Sequence, residues 1–356
     1  MKNQYKVIGL MSGTSLDGVD LACCTFSFKK QWKFEIEKAD TIRYSPAWFK
    51  KLREAHGLSA WNLLELDHAY GKFLGLLCKD FISKNRIIGV DFISSHGHTV
   101  FHQPEKGFTL QIGNGNDLHA VTNLPVISDF RSLDVANGGQ GAPLVPIGDR
   151  LLFPDYDVCL NLGGIANLSF EQKGKRIAYD VCYVNMGLNY LSGKVGKLYD
   201  KGGALSSSGE VNLPMLKKLN SIYAKIKQKR PALAREFFER TIQPVLDREN
   251  ISVQDKLRTF TESIALQLAE AIIQAGKKVT VLCTGGGAFN SFLMYRLIEY
   301  VGDNATIIIP ENEVVNFKEA LVFAFLGVLR KRNEINSLKT VTGAAKDSSS
   351  GLMIGF

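Results

Sequence analysis

The chain has 356 residues, 45% of them hydrophobic and 22% charged, a balance that excludes intrinsic disorder and suits about two domains. Its longest apolar runs, such as Ala320 to Leu329, fall well short of the ~20 residues needed to cross a bilayer, so no membrane partner is expected. The net charge of +8 is spread along the chain, which argues against nucleic acid as a partner and suits an anionic small molecule. The one dense basic run, Lys217 to Arg230, reads as the exposed face of a helix and its loop. The six cysteines form no C-x-x-C pair and read as core thiols rather than disulfides or zinc ligands. Met1 to Gly9 lacks the pattern of a signal peptide, so a cytoplasmic location is expected.

In chain order, Lys6 to Met11 is an apolar strand that runs into a small-residue turn, and Leu21 to Phe28 is the returning strand. Helices are expected over Pro46 to His56 and Ser59 to Lys84, the second capped by Ser59. Asp91 to Ser95 is a short buried strand that delivers Ser95-His96-Gly97-His98-Thr99. From Asp129 to Asp149 the chain turns small and polar, with Gly138-Gly139-Gln140-Gly141-Ala142-Pro143 inside a loop. A second strand, turn and strand follow in Val158 to Leu168, echoing the first hairpin and hinting at two related halves. Arg176 to Asp180 is a short strand that Asp180 ends. Thr259-Phe260-Thr261-Glu262 reads as a capping box opening a helix closed by Gly276. Val279 to Cys283 is a buried strand, Thr284 to Ala288 a glycine turn, and Asn290 the cap of another helix. Ala305 to Ile309 is a strand and Phe317 to Arg332 an apolar helix. The alternation indicates an α/β protein.

Three glycine turns follow buried strands: Gly13 to Asp20, Gly163-Gly164 and Gly285-Gly286-Gly287. Glycine lets successive backbone N–H groups approach an anion, and three strand-terminal turns together point to phosphate. The spacing excludes a P-loop, a dinucleotide fingerprint and a nucleophile elbow. His96, His98 and His102 would share a face on a regular strand, which raises a metal site as one reading and hydrogen bonding to a polar ligand as another. Asp17, Asp20, Asp129, Asp134, Asp180 and Glu319 are the remaining candidates, with Asp180 placed as a general base commonly is in α/β enzymes.

Gly13 to Asp20, Ser95 to Thr99, Asp129-Phe130-Arg131, Gly138 to Pro143, Asn161 to Asn167, Gly285 to Asn290 and Val341 to Ala344 together resemble the anhydro-N-acetylmuramic acid kinase family, in the same order and across essentially the whole chain. The resemblance implies a two-lobe actin-like ATPase (ribonuclease H-like) sugar kinase fold with a central nucleotide cleft. It implies ATP with Mg2+, and a homodimer as the usual assembly. The implied reaction opens the 1,6-anhydro ring by water attack and phosphorylates the released 6-oxygen, a step of peptidoglycan recycling. Asp180 then matches the general base. Gly13, Thr14, Ser15, Leu16, Asp17, Gly18, Val19 and Asp20 bind the ATP phosphates, with Asp17 and Asp20 placed for magnesium. Gly163 and Gly164 form the second phosphate turn, and Gly285, Gly286, Gly287 and Asn290 the adenosine side. His96, Asp129, Arg131, Gln140 and Glu319 line the sugar site.

The sequence departs from the family pattern at three places. Cys182-Tyr183-Val184-Asn185 stands where Gly-Pro-Gly-Asn is usual, His98 replaces the Gln of S-H-G-Q-T, and Pro231-Ala232-Leu233-Ala234-Arg235-Glu236 is a shortened form of Pro-Lys-Ser-x-Gly-Arg-Glu. These departures motivate two alternatives, a kinase for another anhydrosugar such as levoglucosan and a catalytically impaired binding homologue. A metal-dependent hydrolase built on the three histidines is a third. The lobes are expected over residues 1–126 with 338–356, and over 127–337.

Overall fold

The computed structural model describes residues 2–13, 16–229, 233–248 and 250–356. The chain divides into two compact units, one made of Met1–Phe153 with Phe317–Phe356 and the other of Pro154–Asn316. These bounds differ from the expected ones at both crossings. Val126 does not end the first unit, because Val126–Ser128 is a strand of its sheet, and the helix Val145–Leu152 also belongs to it. The chain re-enters the first unit at Phe317, inside the helix Asn312–Lys331, rather than at Leu338.

The first unit is built on strands β1 (Gln4–Ser12), β2 (Gly18–Phe28), β3 (Trp32–Arg43), β4 (Phe92–Gln103), β5 (Phe108–Ile112), β6 (Val126–Ser128) and β12 (Leu352–Ile354). They run in the order β12-β6-β4-β1-β2-β3, with β5 beside β4. The second unit carries β7 (Val158–Leu162), β8 (Ile165–Gln172), β9 (Lys175–Tyr183), β10 (Val279–Thr284) and β11 (Ala305–Ile308), ordered β11-β10-β7-β8-β9. In each unit a three-stranded antiparallel meander, β1-β2-β3 or β7-β8-β9, continues from its first strand into two parallel strands, β4-β6 or β10-β11. The echo between the hairpins is thus a duplication of topology.

Close approach on the first sheet depends on small residues. A Cβ at Gly9 of β1 would lie 2.1 Å from the Ala320 carbonyl oxygen, so the helix Asn312–Lys331 lies almost against the strand. Ser94 Oγ of β4 donates to the Phe323 carbonyl of the same helix at 2.5 Å. That packing sets the position of Glu319, one turn before Phe323.

Helices Pro46–Glu54 and Ala60–Asn85 form as expected, the second capped by Ser59, whose Oγ accepts from Asn62 N. The basic run from Lys217 falls on the helix Leu213–Lys229, which buries Met215, Leu219, Tyr223 and Ile226; Arg230 lies outside the described residues. Thr259 does not cap a helix. The helix runs over Val253–Ala275, with Ser252 Oγ accepting from Asp255 N. Thr259 Oγ1 donates back to the Asp255 carbonyl, and Glu262 pairs with Arg258 and Arg296 rather than with a cap. The polar stretch from Asp129 to Asp149 contains two short helices, Ser132–Ala136 and Val145–Leu152. Among the described residues no helix is long and apolar enough to cross a membrane.

Candidate active site

In the first unit, β1 and β2 flank the first glycine turn, with Met11 opposite Asp20. Thr14 and Ser15 lie outside the described residues. Leu16 holds a left-handed φ of 62°, a conformation that costs a residue with a Cβ and gathers at functional loops. Gly18 is required by the fold, since a Cβ there would sit 2.5 Å from the Ile42 carbonyl oxygen. Asp17 is exposed, and Asp20 accepts from Thr41 Oγ1 at 2.6 Å. Burial, and secondarily the charge of Asp17, pushes the Asp20 carboxyl above its ordinary range.

His96, Arg131, Glu319 and Asp20 form one electrostatic group. Arg131 Nε donates to His96 Nε2 at 2.9 Å, and Nη1 donates to the Gly141 carbonyl at 2.7 Å. An Nε2 that accepts from a guanidinium carries no proton, so the ring's single proton is on Nδ1 and is donated to the Gly97 carbonyl at 2.9 Å. Burial and the Arg131 charge hold His96 neutral, well below its ordinary pKa. Burial brings Arg131 down to about 10, against the pull of Glu319 and Asp134. Glu319 is raised by burial and by the charge of Asp20, while Arg131 and Lys318 oppose the shift.

The other expected sugar contacts border this group. Asp129 has φ of 56°, and its Oδ1 accepts from Ser132 N at 3.2 Å, so it caps the short helix that carries Asp134. Gln140 is exposed, and its backbone N–H donates to the Thr342 carbonyl at 2.8 Å. Asp134 is structural. Fully buried, it accepts from Ser337 Oγ at 2.6 Å, Thr342 Oγ1 at 2.8 Å and Gly141 N at 2.8 Å. It joins the glycine-rich loop to the Val341 to Ala344 motif.

The histidines do not converge as a metal site. The pairing of β1 with β4 slips between Leu10 and Ser12, and Gly97 holds φ of 73°, which breaks the shared face. His98 Nδ1 bonds Ser12 Oγ at 3.0 Å and His102 Nδ1 bonds Thr109 Oγ1 at 3.1 Å, so each ring has a separate partner. Among the described residues no group of three or more His, Cys, Asp and Glu side chains is arranged to hold a metal ion. Asp17 and Asp20 do fit magnesium as nucleotides carry it, because that ion takes one or two protein carboxylates and completes its shell with phosphate and water. The charge of Asp17 helps to raise Asp20, and that of Asp20 helps to raise Glu319, an acidic strip whose charge a cation would offset.

In the second unit, Gly163-Gly164 is the two-residue link between β7 and β8. After β9 the chain returns to it: Val184 N donates to the Gly164 carbonyl at 2.9 Å and Asn185 Nδ2 to the Leu162 carbonyl at 3.1 Å. The third turn packs on the same strand end. Gly285 has φ of 81° and a Cβ there would meet Asn161 Oδ1 at 2.5 Å; a Cβ at Gly287 would meet Leu162 at 2.7 Å. Asn290 caps the helix Ser291–Val301, its Oδ1 accepting from Leu293 N at 3.0 Å. The second and third turns thus meet at the end of β7, and Asn290 follows the third.

Asp180 does not end its strand. It stands within β9 opposite Asn167, and the extra residue Val181 bulges the pairing, since Ala166 faces Cys182. Bulges beside active sites re-aim side chains. Asp180 Oδ2 accepts from Leu233 N at 2.9 Å. Burial pushes its carboxyl above the usual range, opposed by that hydrogen bond. Leu233 acts on Asp180 through its backbone N–H, a donor that leaves no mark in residue type.

The comparisons bear on this geometry as a whole. The family model for anhydro-N-acetylmuramic acid kinase matches residues 5–355. Anhydro-N-acetylmuramic acid kinase from Mannheimia succiniciproducens is 33% identical over 375 aligned positions that cover 99% of both chains. That from Aliivibrio fischeri is 32% identical and covers 98% of both. Among solved structures, the activator of 2-hydroxyisocaproyl-CoA dehydratase from Clostridium difficile aligns over 92% of this chain and 97% of its own, at 13% identity and a TM-score of 0.44. With the duplicated sheets and three glycine turns in place, a match that runs from one end to the other means that this chain belongs to the anhydro-N-acetylmuramic acid kinase family.

Proposed function

We propose that this protein is an ATP-dependent kinase that hydrolyses the 1,6-anhydro bridge of anhydro-N-acetylmuramic acid and phosphorylates the freed 6-oxygen. The products are N-acetylmuramic acid 6-phosphate and ADP. Asp180 takes a proton from water as the water oxygen bonds to C1. The C1–O6 bond breaks, and O6 takes the γ-phosphoryl group from ATP. The observation that carries this reading is Asp180 itself: a carboxylate aimed by a bulge, oriented by one N–H, and made more basic by burial.

In the first unit, Asp17 and Asp20 would hold magnesium together with the nucleotide, and the ion would supply charge neutralisation for phosphoryl transfer. The neutral His96, the Arg131 guanidinium and Glu319 hydrogen-bond the sugar, with Asp129 and Gln140 at the margin. Thr14 and Ser15 are assigned with Gly13, Leu16, Gly18 and Val19 to the phosphate hairpin. In the second unit, Gly163-Gly164 receives phosphate, and Gly285 to Gly287 with Asn290 receive the adenosine. The enzyme works in the cytoplasm, as a homodimer, on sugar released in peptidoglycan recycling; this placement follows its family.

The glycines separate into two kinds, which supports the division of roles. A Cβ at Gly163 or Gly164 would meet nothing closer than 3.5 Å, whereas Gly285 is demanded by its φ and by Asn161. Glycine that the fold does not need is glycine that a ligand can need. Gly164→Ala should leave the melting temperature unchanged and raise KM for ATP about tenfold, roughly one lost phosphate contact. Gly285→Ala should instead cost about 1–3 kcal/mol of stability, seen in urea unfolding.

The direct test is ADP release with Mg-ATP, with and without the anhydro sugar, and levoglucosan for comparison. Sugar-dependent ADP together with a 6-phosphorylated reducing sugar supports the proposal. Turnover on levoglucosan in preference, or none on either sugar, overturns it.

A further inference from the structure

We propose that Tyr183 is a positioning residue for this reaction, its hydroxyl anchoring the peptide segment whose amide orients Asp180. The inference deepens the reading of Asp180 as the base and rests on it. Tyr183 follows Asp180 by three residues on β9. Its Oη donates to the Ala234 carbonyl at 2.8 Å, while Leu233 N donates to Asp180 Oδ2 at 2.9 Å. One dipeptide, Leu233-Ala234, therefore bridges two side chains of a single strand, giving its N–H to one and its C=O to the other.

The anchor is rigid. The Tyr183 ring is buried and packs edge-on to Phe238 with centroids 5.2 Å apart, and its backbone N–H donates to Tyr223 Oη at 3.3 Å. Burial pushes the phenol up to about 12, so it remains a proton donor at any working pH. Two departures from the family pattern meet in this bridge. Tyr183 supplies a hydroxyl where proline is usual, and Leu233-Ala234 belongs to the shortened segment. A segment without its usual Lys, Ser and Gly is fixed by a hydrogen bond that proline could not make.

Tyr183→Phe keeps the ring and removes only the anchor. Loosening the Leu233 N–H should lower kcat about tenfold, since misplacing a catalytic group by a fraction of an ångström is costly, while KM for ATP holds. A hydrogen bond to the charged form lowers a carboxyl pKa, so its weakening should move the Asp180 titration upward by about one pH unit. The ionisable groups around Asp180 include Tyr179 and Tyr183 on its own strand, Lys227, which lines a small cavity together with Tyr179 and Asp180, and Glu236, whose charge reaches Tyr183. The substitution leaves Tyr179, Lys227 and Glu236 in place, so the shift reports the lost anchor.

The measurement is carbon-13 NMR of the labelled Asp180 carboxyl against pH, in wild type and variant, beside the kinetic profile. It reads the anchor whether or not the sugar is turned over. A shifted titration without turnover of any anhydro sugar would leave the anchor standing and remove the proposed activity. An unshifted titration with unchanged kcat would overturn the anchor and leave the activity. A backbone ester at position 233, which deletes the N–H alone, should reproduce the shift; if it does not, the bridge has no effect on Asp180. A purely structural tyrosine would lower the melting temperature and move neither quantity.

Discussion

Replacing Asp180 by Asn should lower sugar-dependent ADP formation by about 10³-fold, within the range that a positioned general base contributes. The amide has nearly the shape of the carboxylate and its oxygen can still accept from Leu233 N, so both substrates should bind with little change in affinity. The loss should fall on kcat. The substitution should not unfold the protein. A carboxyl whose folded pKa is raised favours folding in its neutral form below the unfolded pKa, and that advantage disappears as pH rises through the folded pKa. At neutral pH the ionised Asp180 is thus a cost to stability, which Asn removes, and the variant should melt at or above the wild-type temperature. In the wild type, the acid limb of kcat/KM should lie above the usual carboxylate range, as burial dictates. A variant that retains a tenth of wild-type activity would show that another group takes the proton.

Asp134→Ala should be the most damaging change to stability in the first unit. It removes the acceptor at which Ser337 Oγ, Thr342 Oγ1 and Gly141 N are all directed, a fully buried carboxylate, and leaves Thr342 Oγ1 the longer bond to the Leu338 carbonyl at 3.3 Å. Orphaned buried donors and the loss of a fully engaged charge together cost about 3–5 kcal/mol. For a unit of this size that lowers the midpoint by ~10 °C. Activity should fall as well, because the Gly141 carbonyl is one of the two partners that hold Arg131. Thermal unfolding followed by circular dichroism checks the first effect; a loss below 1 kcal/mol would mean that water replaces the carboxylate.

What was legible in the sequence depended on whether a residue's own chemistry announces its place. The two hairpins were readable because apolar runs flank glycine, and Ser59 and Asn290 were readable as caps because a side-chain oxygen before a helical pattern has one common use. The Thr259 box misled because Leu257, two residues upstream, and the half-buried Val253, six upstream, continue the same apolar face back to Ser252. β3 and β5 were passed over. The first is an edge strand rich in Lys and Glu, and the second is half-exposed beside β4. The candidate residues divide the same way. His96 and Arg131 could be named, but their direct bond, and hence the proton on Nδ1, follows only from the slip at Gly97. Asp134 could be named but not distinguished from Asp129, since burial alone makes one a clamp and the other a cap. The bulge at Val181 and the amide of Leu233 carry no residue signature.

The first unit takes its last strand from Leu352–Ile354 and its Asp134 clamp from Ser337 and Thr342. The second is one uninterrupted stretch, 154–316. On the ribosome, therefore, the later-encoded unit can complete its core while the earlier one still lacks an edge and a hub. β1 to β6 must wait, with β6 unpaired on the side that β12 will cover, until Leu352–Ile354 emerges. Termination between Asn316 and Leu352 would release a finished second unit tethered to an unfinished first one, a species with an open strand edge and a ready route to aggregation.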